Sequence, residues 1–153
     1  IEAFYLDEYL NDLWISLSHV TKKYKTEFDN QLSHKIIYGD PGDYSQLFTN
    51  LIMNTFSHAY EIGDAVRIEI SSTEVDHSLI ISYKDYGRGI KTENLDKIFD
   101  PFYTTNRAGG GSGLGLNVIY QIITNKLGGE IKCISELGNF TEFLIKIDKY
   151  TEE

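Results

Sequence analysis

Leu6, Leu10, Leu13, Leu17 and Val20 recur at steps of three and four residues, which predicts an amphipathic helix over 4–22. Residues 24–39 read as extended and end on the turn Gly39-Asp40-Pro41-Gly42. A second helix is predicted over 43–61. Tyr44, Phe48, Leu51, Ile52, Phe56 and Ala59 fall on one arc of it, and Gln46, Asn50, Asn54, Ser57, His58 and Glu61 on the opposite arc. Val66, Ile68 and Ile70 alternate with charged residues, as in a half-buried strand, and 78–84 reads as its partner. From Asp85 to Ser112 the periodicity gives way to Gly, Asp, Thr and Asn, over a stretch too long for an ordinary connection. Helical spacing returns over 113–127, with Leu116, Ile119, Ile123 and Leu127 on one stripe, and strands near 130–135 and 141–148 close the chain. With no internal repeat and no linker, residues 1–153 read as one domain. The element order predicts an α+β two-layer sandwich, a mixed and mostly antiparallel sheet covered on one face by helices.

Composition narrows what such a domain can bind. Hydrophobic residues make up 41% of the 153, enough for a core without covalent staples. The net charge of −9 argues against a general nucleic-acid binder, which needs clustered Lys and Arg for phosphate contacts. A bound polyphosphate would then depend on a metal ion, backbone N–H groups or a few placed cations. The single cysteine, Cys133, excludes an internal disulfide framework and fits a reducing compartment. It alternates with Ile131 and reads as a buried strand residue. No apolar run reaches the length of a membrane span, and with Glu2, Asp7 and Glu8 acidic no signal peptide is expected at the start. A chain beginning with Ile is expected to be a piece of a longer protein, whose upstream part is free to include a membrane anchor. Trp14 reads as a packing residue, and His34 and His77 as facing solvent.

Three clusters carry candidate chemistry. Asn50 and Asn54 share one helix face, and His58 extends the row. Asp85-Tyr86-Gly87-Arg88-Gly89-Ile90 follows an apolar strand directly, and its glycines allow a tight turn and close approach of a ligand to the backbone. Gly109-Gly110-Gly111-Ser112-Gly113-Leu114-Gly115-Leu116 runs into a helix, where successive N–H groups favour phosphate. It is not a P-loop, because no Lys-Ser or Lys-Thr follows the glycines. Taken singly, the three are also compatible with a solvated helix face, a surface turn and a flexible linker.

Taken in order, the segments resemble the catalytic domain of sensor histidine kinases. That domain lies within the superfamily of gyrase, heat-shock chaperone, histidine kinase and mismatch-repair ATPases. Gly39-Asp40-Pro41 leading to Asn50-Leu51-Ile52-Met53-Asn54 resembles the family's N box. Asp85 to Ile90 resembles its first glycine box, Ile98-Phe99-Asp100-Pro101-Phe102-Tyr103-Thr104-Thr105 the F box, and Gly111 to Leu116 the second glycine box. Gly128-Gly129, Ser135 to Gly138 and Thr141 to Phe143 are similar to the family's closing strands.

The resemblance implies ATP and Mg²⁺ as ligands and assigns roles. Asn54 would hold Mg²⁺ through its amide oxygen. Asp85 would accept a hydrogen bond from the adenine amino group, Gly87 and Gly89 would let the backbone pass the base, and Thr141 would help from a neighbouring strand. Residues 91–112 would form a lid over the phosphates, anchored by Phe102. Further ATP contacts are implied for His58, Ile90, Tyr103, Thr104, Thr105, Arg107, Gly111, Ser112, Gly113, Leu114, Gly115 and Leu116. Between 88 and 112 the basic Arg88, Lys91, Lys97 and Arg107 outnumber Glu93, Asp96 and Asp100, which suits a cover for phosphates in an acidic chain. Four positions depart from the family pattern. Tyr86 suggests a bulkier pocket rim, Asn106 stands where Lys is common, Ser57 where a basic residue is common, and Phe140 in place of Gly.

The implied activity is γ-phosphoryl transfer from ATP to a histidine on separate dimerisation helices, with a response-regulator receiver domain downstream. Transfer of this kind is mainly positioning and charge stabilisation. Related ATPases carry Glu where this chain has Asn50, and an amide cannot take a proton from water at neutral pH. Asn50 and Asn54 are thus the candidate catalytic pair. His19 lacks the context of a phospho-acceptor, so the chain alone is expected not to phosphorylate itself. The domain is expected to be cytoplasmic and monomeric, with no nucleic-acid or direct membrane contact. An anti-sigma-type serine kinase and a nucleotide-sensing module without transfer activity are the alternatives.

Overall fold

The computed structural model describes residues 1–101, 103 and 115–151. Five segments of alternating polarity form the main sheet: β2 (Lys25–Gln31), β4 (Ala65–Val75), β5 (Ser78–Asp85), β7 (Phe140–Ile147) and β6 (Gly129–Glu136), in that spatial order. β2 runs parallel to β4, and the other neighbours pair antiparallel. β4 and β5 join through Asp76 and His77, both at positive φ, the conformation a two-residue hairpin turn demands. The parallel pair needs a crossover, supplied by β3 (Ile36–Gly39) and α3 (Pro41–Asn54).

Alternation puts Val66, Ile68, Ile70, Leu79, Ile81, Tyr83, Phe143, Ile145 and Ile147 into one buried cluster. Tyr44, Leu47, Phe48, Leu51 and Ile52 of α3 join it, each 0% exposed. Leu6 and Leu10 of α1 (Leu6–Ser16) and Ile119 of α4 (Gly115–Gln121) belong to it too. The fold is the α+β mixed sheet with helices that the sequence predicts. α3 begins two residues before the predicted 43, because Pro41 sits in its first turn and the Asp40 side chain accepts from Gly42 N at 2.9 Å.

The other boundaries differ more. The predicted helix over 4–22 is three elements. Phe4 and Tyr5 belong to β1 (Glu2–Tyr5), which pairs antiparallel with β3 in a second sheet. α1 then stops at Leu17, whose N–H bonds Leu13 O at 3.2 Å and Trp14 O at 3.1 Å, and α2 (Ser18–Thr21) adds one turn. The predicted helix over 43–61 stays α-helical only to Asn54 and continues as a wider π turn, Thr55–Ala59. α4 likewise passes into a π turn, Ile122–Lys126, where Leu127 N bonds Ile122 O at 3.0 Å. Such single turns recur at functional sites.

Trp14 stacks on Phe28 at 4.0 Å, a packing role as expected. His77 is exposed, while His34, also exposed, lies 3.0 Å from Asp7 and stacks on Tyr5. Cys133 is half-buried rather than buried, and burial pushes its thiol up to about 12, leaving it unreactive near neutrality. Among the described residues, no helix is long and apolar enough to cross a membrane.

Tyr44 is fully buried with its ring edge-on to Phe4, yet its hydroxyl has no hydrogen-bond partner among the described residues. An orphaned buried hydroxyl costs on the order of 1–3 kcal/mol. Tyr44→Phe keeps the ring and removes the orphan, so it is expected to raise stability by up to about 1 kcal/mol in urea unfolding. A loss of 1 kcal/mol or more would mean that the hydroxyl has a partner after all.

Candidate functional site

Strand alternation turns Asp85, the last residue of β5, inward with Tyr83 and Ile81, so a carboxylate ends up 2% exposed. Gly87 N donates to its Oδ1 at 3.1 Å and Thr55 Oγ1 to its Oδ2 at 3.3 Å. Burial pushes its pKa up to about 6, and those two hydrogen bonds pull in the opposite direction. Thr141 lies directly opposite Asp85 in the β5–β7 ladder and is also buried.

The turn after Asp85 is clamped from two sides. A Cβ on Gly87 would stand 2.4 Å from Ala59 Cβ, and Arg88 N donates to Ala59 O at 3.3 Å, so the π turn forms one wall. On the other side Gly89 has φ +71°, and a Cβ there would stand 2.2 Å from Glu136 O. Gly138 N donates to Arg88 O at 2.5 Å. Ser135 Oγ fastens the same turn: it donates to Phe140 O at 2.7 Å, accepts from Ile90 N at 2.7 Å, and lies 3.2 Å from Thr141 Oγ1.

Tyr86 does not narrow the pocket rim as expected. Its neighbours in the alternation, Lys84 and Arg67, lie on the sheet face away from Asp85. The Tyr86 ring packs beneath both, 4.9 Å from Arg67 Cζ and 4.9 Å from Lys84 Nζ. Phe140 carries Lys84 in the same way, at 4.6 Å.

The end of α3 and its π turn bring further predicted residues to this turn. Asn54 precedes Thr55 and is half-buried, with no side-chain hydrogen bond among the described residues. Asn50 is half-buried and donates to Gln46 O at 2.8 Å, within its own helix. His58 is half-buried, and its pKa is lowered first by burial and then by Arg88, so the ring is neutral at pH 7. Arg88 lies 3.5 Å from Glu61.

Gly115 and Leu116 open α4, which packs on α3. Among the described residues no hydrogen bond ties them, or Tyr103, to Asp85. The expected lid over 91–112 is fastened at its near end: Ile98 is 1% exposed, Phe99 packs on Phe143 and Tyr120, and Asn117 Nδ2 donates to Phe99 O at 3.0 Å. Phe102, Thr104, Thr105, Arg107, Gly111, Ser112, Gly113 and Leu114 lie outside the described residues.

Thr55, Tyr83 and Ser135 are absent from the sequence reading of the site. Thr55 was the recoverable one, as the hydroxyl next to Asn54 that falls on neither helix arc. The arrangement as a whole is a sequestered acceptor, beside a clamped backbone turn, next to an amide that has no side-chain partner among the described residues. One neutral amide oxygen is a fitting donor for a Mg²⁺ ion that takes its remaining ligands from water and phosphates. The described histidines and carboxylates that could share an ion are the half-buried Asp7 and the exposed Glu8 and His34, an ion-pair group at the start of α1.

Comparison with known proteins places the chain in a family. The profile of the family described as histidine kinase-, DNA gyrase B-, and HSP90-like ATPase matches residues 39–151. Sensor kinase CckA of Brucella abortus is 32% identical over 99% of this chain, which spans 17% of that relative's length. Sporulation kinase E of Bacillus subtilis is 37% identical over 72% of this chain, which spans 14% of its length. The catalytic domain of histidine kinase ThkA superposes with a TM-score of 0.81 at 25% identity, covering 97% of this chain and 95% of that one. ThkA is also known in complex with the response regulator protein TrrA, and that structure superposes with a TM-score of 0.72, covering 95% of this chain and 41% of that one.

Proposed function

Since this chain belongs to the histidine kinase-, DNA gyrase B- and HSP90-like ATPase family, we propose that it binds Mg²⁺-ATP and gives the γ-phosphoryl group to a histidine on separate dimerisation helices. The observation that carries this reading is Asp85. A carboxylate 2% exposed, with one inner hydrogen bond on each oxygen, is poised to accept from a donor such as the adenine amino group. Gly87 and Gly89 let the turn close against Ala59 and Glu136, which sets Gly87 N on the inner oxygen of Asp85, and Thr141 adds a hydroxyl from β7. Asn54 holds Mg²⁺, whose chemistry is to neutralise phosphate charge. Asn50 cannot serve as a base for water, so ATP waits for its acceptor instead of being hydrolysed. Phosphate then passes to a response regulator, a partner suggested by the ThkA complex with TrrA. The setting of this chemistry is the cytoplasm.

Calorimetry with ATP, with Mg²⁺ and with both tests the binding half. Mg²⁺ alone should bind weakly, because one amide offers no charge, and should bind with the nucleotide. Asn54→Ala should remove the gain that Mg²⁺ adds to ATP affinity, at least about tenfold, and leave metal-free ADP binding unchanged. Hydrolysis at about 1 per second or faster would contradict a waiting kinase. The transfer half is tested by adding histidine-bearing helices and labelled ATP. Label should appear on those helices, and label on His19 of this chain would defeat the assignment of an external acceptor.

A further inference from the structure

Behind Asp85 lies a line of buried hydroxyls whose function packing does not explain. Tyr83 is 0% exposed and Thr55 is 1% exposed, yet both are polar where Phe and Val would fill the same space. Their hydroxyl oxygens are 2.7 Å apart. Leu51 O lies 3.1 Å from Thr55 Oγ1 and 3.3 Å from the Tyr83 hydroxyl, and Asp85 Oδ2 lies 3.3 Å from Thr55 Oγ1. We propose that Thr55, backed by Tyr83, is a specificity-determining positioning residue: it holds Asp85 as a pure acceptor and so selects 6-aminopurines over 6-oxopurines.

Each hydroxyl has one proton to give. The short contact between them uses one; apart from the arrangement in which Thr55 gives its proton to Leu51 O and leaves Asp85 Oδ2 without a donor, two opposite orders remain. In the first, Tyr83 donates to Thr55 and Thr55 donates to Asp85 Oδ2. In the second, Thr55 donates to Tyr83 and Tyr83 donates to Leu51 O. The first order supplies a donor to the carboxylate, and with Gly87 N on Oδ1 both oxygens are then held from within. The second leaves Thr55 Oγ1 accepting, and suits a carboxylic acid that hands its proton inward. The direction of the line therefore follows the charge of Asp85, and a hydroxyl at Thr55 favours the ionised state. An ionised Asp85 accepts from an exocyclic amino group and is set against a carbonyl oxygen. Without the Thr55 hydroxyl the buried carboxyl takes up a proton more readily, and an acid can donate to O6 of an oxopurine.

Other titratable groups near Asp85 do not imitate this behaviour. Tyr60, after the π turn, and Cys133 on β6 both feel the Asp85 charge, and burial raises both, so they stay neutral between pH 5 and about 8. Tyr83 is raised further still. His58 and Arg88 face each other on the π turn and the glycine turn, and their contribution is the same in parent and variants.

The inference rests on the nucleotide reading for its ligand, but its first test does not need one. The Asp85 carboxyl carbon is titrated by NMR in the free chain, and ADP and GDP affinities are measured over the same pH range. The set is the parent, Thr55→Val, Thr55→Ser, Tyr83→Phe and the double variant Thr55→Val with Tyr83→Phe. Thr55→Val should move the Asp85 midpoint up by about one unit. It should also weaken ADP about twofold at pH 7, approaching about tenfold below pH 6, and shrink the ADP-to-GDP ratio. Thr55→Ser should restore parental behaviour, which a simple packing role would not. Tyr83→Phe should move the midpoint in the same direction by less, and the double variant should be no worse than Thr55→Val, since the pair acts as one unit. An unmoved midpoint in Thr55→Val, failure of Ser to restore it, or additive effects in the double variant would overturn the proposal. If Thr55→Val does not fold, an unmoved midpoint in Tyr83→Phe overturns it equally. Absence of ADP binding by the parent overturns the nucleotide reading instead, and the midpoint still decides whether the line controls Asp85.

Discussion

Asp85→Asn yields a chain more stable than its parent and weaker for adenine nucleotides. The folded site holds the carboxyl at a pKa of about 6, against an ordinary 3.8, chiefly through burial. A group whose folded pKa is raised favours the fold below its unfolded value, and that contribution is lost as pH rises through the folded value. For Asp85 the window runs from about 4 to about 6, so at pH 7 the ionised side chain opposes folding. Each unit is worth 1.36 kcal/mol, so roughly 3 kcal/mol is the upper bound. Asn keeps the shape, accepts from Gly87 or Thr55, and carries no charge into the interior. A gain of about 1–3 kcal/mol is expected in urea unfolding at pH 7, shrinking toward zero near pH 4. An equal gain at both pH values would show that charge is not the cause. Affinity should move the other way. Adenine presents an amino donor where guanine presents O6. The parent should therefore prefer ATP and ADP to GTP and GDP at least about tenfold. In Asp85→Asn the amide can turn its NH₂ toward O6, so the preference should narrow. Competition of ATP and GTP against a fluorescent nucleotide reads both effects, and equal affinities in the parent would mean that Asp85 does not read the base.

That trade between stability and binding was partly visible in the sequence. A strand of alternating residues running into Asp85 and a Gly-x-Gly turn placed a carboxylate at a strand end, and the ladder puts Thr141 opposite it. The α3 periodicity likewise gave the buried arc from Tyr44 to Phe56. What the pattern could not carry was information set by distant partners or by one-residue changes of pitch. Phe4 and Tyr5 are strand because Ile36 and Ile37 pair with them, a contact across more than thirty residues. Local spacing assigned them to the helix that follows. A π turn widens the helix without erasing its apolar stripe, so 43–61 read as one helix although its last turn changes pitch at Thr55. The residues tied most closely to Asp85 lie at or beyond such changes: Thr55 at the start of the π turn, and Ala59 against Gly87 at its end. Tyr86 was misjudged for the opposite reason. Size suggested a pocket rim, while strand alternation had already assigned its ring to the far face with Arg67 and Lys84.

Gly89→Ala should have the largest effect of any one-methyl change in this site. The added Cβ would stand 2.2 Å from Glu136 O, 2.8 Å from its carbonyl carbon and 2.9 Å from Leu137 Cα. All three are backbone atoms of the β6–β7 connection, so no side-chain rotation can relieve the clash. The φ of +71° adds a strained conformation for any residue with a Cβ. Either the glycine turn or the hairpin must move, and both are tied by Ser135 to Ile90 N and by Gly138 N to Arg88 O. Strain of about 1–3 kcal/mol plus disturbed hydrogen bonds predicts a loss of about 2–4 kcal/mol in stability. Binding should suffer as well, because Gly87 N, the donor to Asp85 Oδ1, sits in the turn that must shift. ADP affinity is expected to fall more than about tenfold. Gly138→Ala is the matched control: φ is +85° there, but a Cβ would meet nothing within 4 Å. Its cost should stay near about 1 kcal/mol, the conformational part alone, with ADP binding intact. Urea unfolding and ADP calorimetry on the two variants separate clash from backbone strain. If Gly89→Ala costs no more than Gly138→Ala, the hairpin yields freely and the turn beneath Asp85 is not held by it.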